Sequence, residues 1–245
     1  MLSALRRYLA DRELFAYNQV RRDRWIAQQA SQLAAGARVL DVGAGSCPYR
    51  EKFRHCVYKT QDFTALRQEQ LRGGSYGQID YICDAAKIPV PDASFDAVLC
   101  AEVLEHLPTP VDVVREIARI LAPGGRLILT APLGSGIHQE PFHFYGGYTP
   151  YWYRKFLAEA GFSEIHVEAN EGTLRNFAQE SIRFLQLTRP FHLGMPLLAE
   201  LVWMPLWCLL LPLLGVVVPV VCKLVDRYDR EQRLTVGYHV TAIRQ

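Results

Sequence analysis

Little in this chain is present in excess. Its six cysteines (Cys47, Cys56, Cys83, Cys100, Cys208, Cys222) form no CxxC pair and no metal-finger spacing. That pattern excludes a zinc ribbon or a disulfide-stapled miniprotein and reads as reduced, cytosolic-side thiols. Charge of neither sign dominates, with 27 Lys and Arg against 25 Asp and Glu, so no nucleic-acid partner is expected from a polycationic surface. Internal repeats and low-complexity tracts are absent. The opening stretch MLSALRRYLADRELF breaks its apolar run with Arg6, Arg7 and Asp11, which is not the pattern of a secretory signal. It reads as an amphipathic helix with Leu2, Leu5, Leu9 and Leu14 on one face.

What is there is enough apolar material for a full core, 50% of 245 residues. Past an N-terminal helical segment over residues 1–35, short β-rich runs recur at Arg38–Val42, Cys56–Gln61, Gln78–Cys83, Phe95–Cys100 and Arg126–Thr130. Their separation by helical or loop segments is the βαβ rhythm of a parallel sheet in an α/β fold, and several are apolar on both faces. Helices are expected over Pro110–Leu121 and Thr149–Ala160, with strands at Phe162–Glu168 and Leu234–Ile243.

The run Val39-Leu40-Asp41-Val42-Gly43-Ala44-Gly45-Ser46-Cys47 places a strand before a glycine turn. Gly43 and Gly45 permit positive φ and a bare backbone, and Asp41 sits at the carboxyl end of the strand, where open α/β sheets bind ligands. An ordinary tight β-α turn would use the same residues. A dinucleotide enzyme would need a third glycine where Pro48 stands, so the pyrophosphate reading fails, and a ligand without phosphates remains.

On these residues the chain resembles the class I S-adenosylmethionine-dependent methyltransferases, in particular the small-molecule and lipid methyltransferases of the ubiquinone-biosynthesis type. Asp41-Val42-Gly43-Ala44-Gly45 matches their first motif, with Cys47 where a further glycine is usual. Asp62, 17 residues after Gly45, matches the acid that accepts both ribose hydroxyls, and Asp84-Ala85 the pair against the adenine. Ile88–Val98 matches the segment into the fourth strand, in which Phe95 is core and Asp96 structural, and Leu121–Leu127 the turn before the fifth. The resemblance implies a Rossmann-like seven-stranded sheet with helices on both faces. It implies a cofactor, S-adenosyl-L-methionine, held by Asp41, Val42, Gly43, Ala44, Gly45, Asp62, Phe63, Asp84, Ala85 and Glu102. The methyltransferase domain is expected over 36–171 and 234–245.

Methyl transfer from a sulfonium is an in-line displacement that needs alignment and exclusion of water, and neither a metal nor a covalent intermediate is obligatory. A hydroxyl acceptor also needs something to take its proton. Two places supply histidine. If Glu102-Val103-Leu104-Glu105-His106 is helical, both carboxylates and the imidazole share one face, either as a divalent-cation site or as a cap and packing face; no metal is assigned. The loop Pro132–Tyr145, which in the family closes over the acceptor, carries His138 and His143 as candidate bases, or as simple hydrogen-bonding residues.

Residues 172–233 read as a hydrophobic helical insertion between the sixth and seventh strands. Leu201–Cys222 is 22 residues without a charge, long enough for a bilayer core of about 30 Å. Strands on either side belong to one sheet, so the chain must return to the side it left. Pro205, Pro212 and Pro219 disfavour one straight helix, and a re-entrant or in-plane helical pair is expected instead. Basic flanks (Arg175, Arg183, Arg189, His192; Lys223, Arg227, Arg230, Arg233), with Trp203 and Trp207 as anchors, favour a membrane surface met through 196–222. The expected protein is peripheral or monotopic on the cytosolic membrane face and methylates a hydrophobic or lipid-linked acceptor. Two other readings stand: a soluble sugar or secondary-metabolite methyltransferase whose insertion is a lid or homodimer surface, and an inactive membrane scaffold of the same fold.

Overall fold

A computed structural model describes residue 14 and residues 16–245. Of the expected N-terminal amphipathic face, Leu2, Leu5 and Leu9 lie outside the described residues. The chain divides into two compact units: one holds Arg22–Glu168 with Gly237–Gln245, the other Ala169–Val236 with the residues up to Arg21.

Helix α1 (Tyr17–Ser31) leads to β1 (Arg38–Val42), β2 (Val57–Asp62), the two-residue β3 (Tyr81–Ile82) and β4 (Phe95–Ala101). Helix α2 (Pro110–Ile120) runs straight into β5 (Leu121–Pro132), and α3 (Pro150–Glu159), capped by the Thr149 hydroxyl on the Trp152 amide, precedes β6 (Phe162–Ala169). The last strand is β7 (Gly237–Arg244). The seven strands form one sheet in the order β3-β2-β1-β4-β5-β7-β6, with β7 antiparallel to β5.

Both faces of the central strands are dry. On one, Trp25, Ile26 and Ala30 of α1 pack with Val39, Phe53, Ala97, Leu99 and Ile128. Alternation sends Leu40, Val42, Val98 and Leu129 to the other face, and these are fully buried too. The strand order reverses between β1 and β4, so the chain diverges above their carboxyl ends and opens a crevice there.

The second unit is a helical hairpin. Helix α4 (Thr173–Leu187) is followed after a turn by α5 (Leu197–Pro212), a π-helical segment (Leu213–Val217) and α6 (Val218–Val225). Leu201–Cys222 is therefore one helical run and not a pair; the pairing is between this run and α4. Each proline removes a donor, yet the helix continues, with the π segment just after Pro212, where Ser181 Oγ donates to the Leu214 carbonyl at 2.9 Å. Trp203 and Trp207 donate their indole N–H groups to the carbonyls of Thr188 (2.7 Å) and Leu185 (3.2 Å). They close the carboxyl end of α4, so each indole N–H has its partner inside the hairpin.

Candidate active site

The chain leaves β1 through Gly43 and Gly45, both in the left-handed region (φ +68° and +52°). A Cβ on Gly43 would lie 2.5 Å from Val103 Cγ2, so the segment after β4 approaches too closely for any side chain. Gln61, at the buried end of β2, accepts the Gly43 N–H through Oε1 (3.3 Å) and the Ala44 N–H through its carbonyl (3.0 Å). Next to it Asp62 is buried, with Oδ2 accepting the Gly45 N–H at 2.9 Å and Oδ1 the Thr64 N–H at 2.8 Å. A carboxylate oxygen has two lone pairs, so each oxygen can still accept a hydroxyl.

Gly43, Gly45 and Asp62 line a cleft of about 220 Å³, together with Asp41, Ala44, Phe63, Glu102, Val103 and His106. Asp41 takes the Tyr58 hydroxyl on Oδ2, and burial pushes its carboxyl up to about 7 against the effect of that bond. Three expected cofactor residues are not among the described cleft walls. Val42 is buried in the sheet, Ala85 is buried beyond β3, and exposed Asp84 holds the Ala86 N–H at 2.8 Å.

Glu102 sits at φ +57°, outside any helix; only Leu104–His106 make a turn of 3-10 helix, which corrects the expected helical face. Its Oε1 accepts the Thr130 hydroxyl at 2.8 Å and its Oε2 pairs with Arg22 Nη1 at 2.9 Å. Arg22 and Arg72, which also line the cleft, were missed from sequence. Arg22 Nε donates to the Tyr49 hydroxyl at 3.3 Å, and Arg72 forks onto Asp23 at 2.6 and 3.0 Å. Nothing in local spacing links position 22 to position 102.

Three imidazoles gather beside the cleft: ring centroids are 4.7 Å apart for His106–His138 and His138–His143, and 5.8 Å for His106–His143. Nδ1 of His106 lies 2.6 Å from the Phe142 carbonyl, and Nδ1 of His138 lies 2.9 Å from that of Gly136. A carbonyl only accepts, so each Nδ1 carries a proton, and the neutral ring has its lone pair on Nε2. Burial, reinforced by the neighbouring imidazoles, pulls His106 down to about 4 despite its bond to Phe142. Burial, with His138, also lowers His143, whose Nε2 meets Ser135 Oγ at 3.0 Å. Below them Glu105 is buried with Oε2 unpartnered; burial, then Glu102, pushes it up to about 8.

Among the described residues Glu105, His106 and His138 each offer a ligand atom, all within 4.8 Å of one another, whereas Glu102 is turned to Thr130 and Arg22. The loop bearing His138 and His143 is tied across the cleft. Gln139 Nε2 donates to the Gln70 carbonyl (3.1 Å), Gln70 Nε2 to that of Glu140 (2.9 Å), and Phe142 meets Phe63 edge-on at 5.0 Å. The arrangement can seat a ligand with a vicinal diol against Asp62 and present imidazole nitrogens to an acceptor.

Residues 40–129 match the family model of a methyltransferase domain. A ubiquinone biosynthesis O-methyltransferase of Xanthomonas oryzae pv. oryzae is 36% identical over 124 residues, 48% of this chain and 51% of that protein. A ubiquinone/menaquinone biosynthesis C-methyltransferase of Pseudomonas fluorescens is 33% identical over 114 residues, 42% of this chain and 44% of that protein. The alignments thus span about half the length of these relatives. Among solved structures, a Haemonchus contortus phosphoethanolamine N-methyltransferase 2 in complex with S-adenosyl-L-methionine shares the fold. Its TM-score is 0.51 at 16% identity, covering 91% of this chain and 52% of that one. The glycine bend, the buried acid one strand over and the sheet order all fall within or around the matched segment, which is similar to S-adenosylmethionine-dependent methyltransferase domains, those of the ubiquinone-biosynthesis enzymes among them.

Proposed function

We propose that the chain transfers a methyl group from S-adenosylmethionine to an oxygen of a hydrophobic or lipid-linked acceptor at the cytosolic face of a membrane. The observation that carries this reading is the pairing of the bare Gly43–Gly45 bend with Asp62, whose oxygens keep free lone pairs toward the cleft.

The residues present fit the cofactor. Gly43 admits no Cβ, Asp62 can accept two ribose hydroxyls, and Phe63 offers a half-open ring at the cleft wall. When bound, the cofactor supplies an electrophilic methyl on a sulfonium. The protein's part is to align the acceptor, hold water out with the loop latched through Gln70 and Gln139, and take the acceptor proton. His138 and His143 are proposed for that last role; their rings stand 4.7 Å apart beside the cleft, and burial lowers His143, in support of it.

Residues 36–171 with 234–245 are taken as the catalytic domain, 1–35 as an N-terminal segment and 172–233 as the insertion. The membrane reading is supported by Leu197–Tyr228, one helical run of 32 residues, long and apolar enough to cross a bilayer yet mostly unburied. The ubiquinone-biosynthesis relatives support a lipid-linked acceptor. Incubating the chain with methyl-labelled cofactor and bacterial extract split into lipid and aqueous fractions tests the assignment. Label is expected in the lipid fraction as a base-stable ether; label confined to the aqueous fraction would refute it.

A further inference from the structure

The apolar hairpin poses a geometric question that length does not answer: a run of 32 residues can cross a bilayer or lie along it. The contacts of the hairpin decide. Trp203 meets Thr188, Trp207 meets Leu185, Leu214 meets Ser181, and Asp226 accepts the amides of Gly172 (2.8 Å) and Arg175 (2.9 Å). The long run therefore lies antiparallel to α4 from Trp203 to Asp226. Any depth assigned to one helix fixes the depth of the other.

Helix α4 is not a membrane helix. It carries the Glu180–Arg183 ion pair (3.1 Å), with both side chains more than a third exposed. Ser181, between those two residues, bonds to Leu214, close to the middle of the uncharged stretch Leu201–Cys222. A crossing that centres the uncharged stretch in hydrocarbon would carry this half-exposed ion pair to mid-bilayer, where charge is costly. A tip-first insertion would sink Arg189 and His192, both exposed in the turn between the helices.

Laid flat, the hairpin meets neither cost. The lower bar is α5 with the start of α6, apolar on every exposed side: Leu198, Val202, Leu209 and Val221 are each at least half exposed. The upper bar is α4, whose exposed Phe177 and Phe184, seven residues apart, fall on one edge of a face otherwise formed by Asn176, Glu180 and Arg183. The two helices together supply the polar and apolar faces that α5 lacks alone. Cations then stand at headgroup level at both ends, Arg189 at the turn and Lys223, Arg227 and Arg230 at the other.

We propose that the hairpin lies in the plane of a single leaflet of an anionic bilayer, α5 sunk and α4 on the water side, and does not cross. This rests on the membrane reading above, but its readouts need no methyl transfer.

The test uses the full chain with preformed vesicles of phosphatidylcholine alone or mixed in equal parts with phosphatidylglycerol. Flotation should show binding to the mixed vesicles, weakened by salt, and the Arg227→Glu/Arg230→Glu variant should bind them roughly tenfold or more weakly. Cofactor binding by that variant, measured by calorimetry, should match the parent and so report an intact fold. Sidedness is read with Arg189→Cys and Arg227→Cys, treated on the vesicles with a membrane-impermeant maleimide and scored by mass spectrometry at the new cysteine. Both are expected to react. Protection at position 189 with reaction at 227 would overturn the in-plane arrangement alone, and absence of binding to either vesicle would overturn it together with the membrane reading.

Discussion

Asp62 Oδ2 accepts the backbone N–H of Gly45 at 2.9 Å, so the carboxylate at the end of β2 holds the second glycine of the bend after β1. One side chain thus sets the loop and keeps lone pairs for a ligand. An Asp62→Asn variant points an amide N–H₂ at a backbone donor and loses the charge. Calorimetry should show cofactor affinity lower by about 2 kcal/mol, roughly thirtyfold, with the fold retained; affinity within twofold of the parent would contradict the role.

Gly43→Ala imposes a side chain on a φ of +68° and drives a Cβ to 2.5 Å from Val103. The two effects separate in a double-mutant cycle. Urea unfolding should show Gly43→Ala costing about 2–4 kcal/mol, and Val103→Ala recovering more than about 1 kcal/mol of it, the remainder being backbone strain. Strict additivity would mean that the close approach carries no energy.

The fold was largely legible because parallel strands buried on both faces write themselves as apolar runs: β1 occupies the expected Arg38–Val42, and β2 and β4 differ by a residue at their ends. β3 shrank to Tyr81–Ile82 because, at the sheet edge, it pairs only with β2. The expected helix at Glu102 failed on one dihedral: Glu102 turns left-handed as the chain leaves β4, and α2 waits until Pro110. Seven-residue spacing puts Pro205, Pro212 and Pro219 on one helical stripe, and the helix continues through what looked like breaks, with a π segment braced by Ser181. Arg22 was illegible because its partner Glu102 is 80 positions away and only the tertiary fold joins them.

Asp41 makes stability depend on pH. Its carboxyl is raised from 3.8 to about 7 by burial, so its stabilising contribution is complete below about pH 4 and is lost as pH rises through 7. Asp41→Asn removes that dependence. The stability of the variant relative to the parent should climb between pH 4 and 8 by up to about 4 kcal/mol, read from paired urea melts; a flat difference would place the Asp41 carboxyl in its ordinary range.

His138 and His143 stand beside the cleft but not among its described lining residues. Replacing both with alanine should lower kcat by about 10²- to 10⁴-fold on an oxygen acceptor while leaving cofactor affinity within about twofold. Unchanged turnover would remove them as bases, and a matching loss of cofactor affinity would assign them to the fold of the loop.

The bend and the acid together are proposed to seat the nucleoside, and a crystal structure of the chain with S-adenosylhomocysteine shows whether they do. The nucleoside is expected over Gly43–Gly45, with both ribose hydroxyls within hydrogen-bond distance of Asp62. A nucleoside lodged elsewhere, or an Asp62 that still touches only the amides of Gly45 and Thr64, would contradict it.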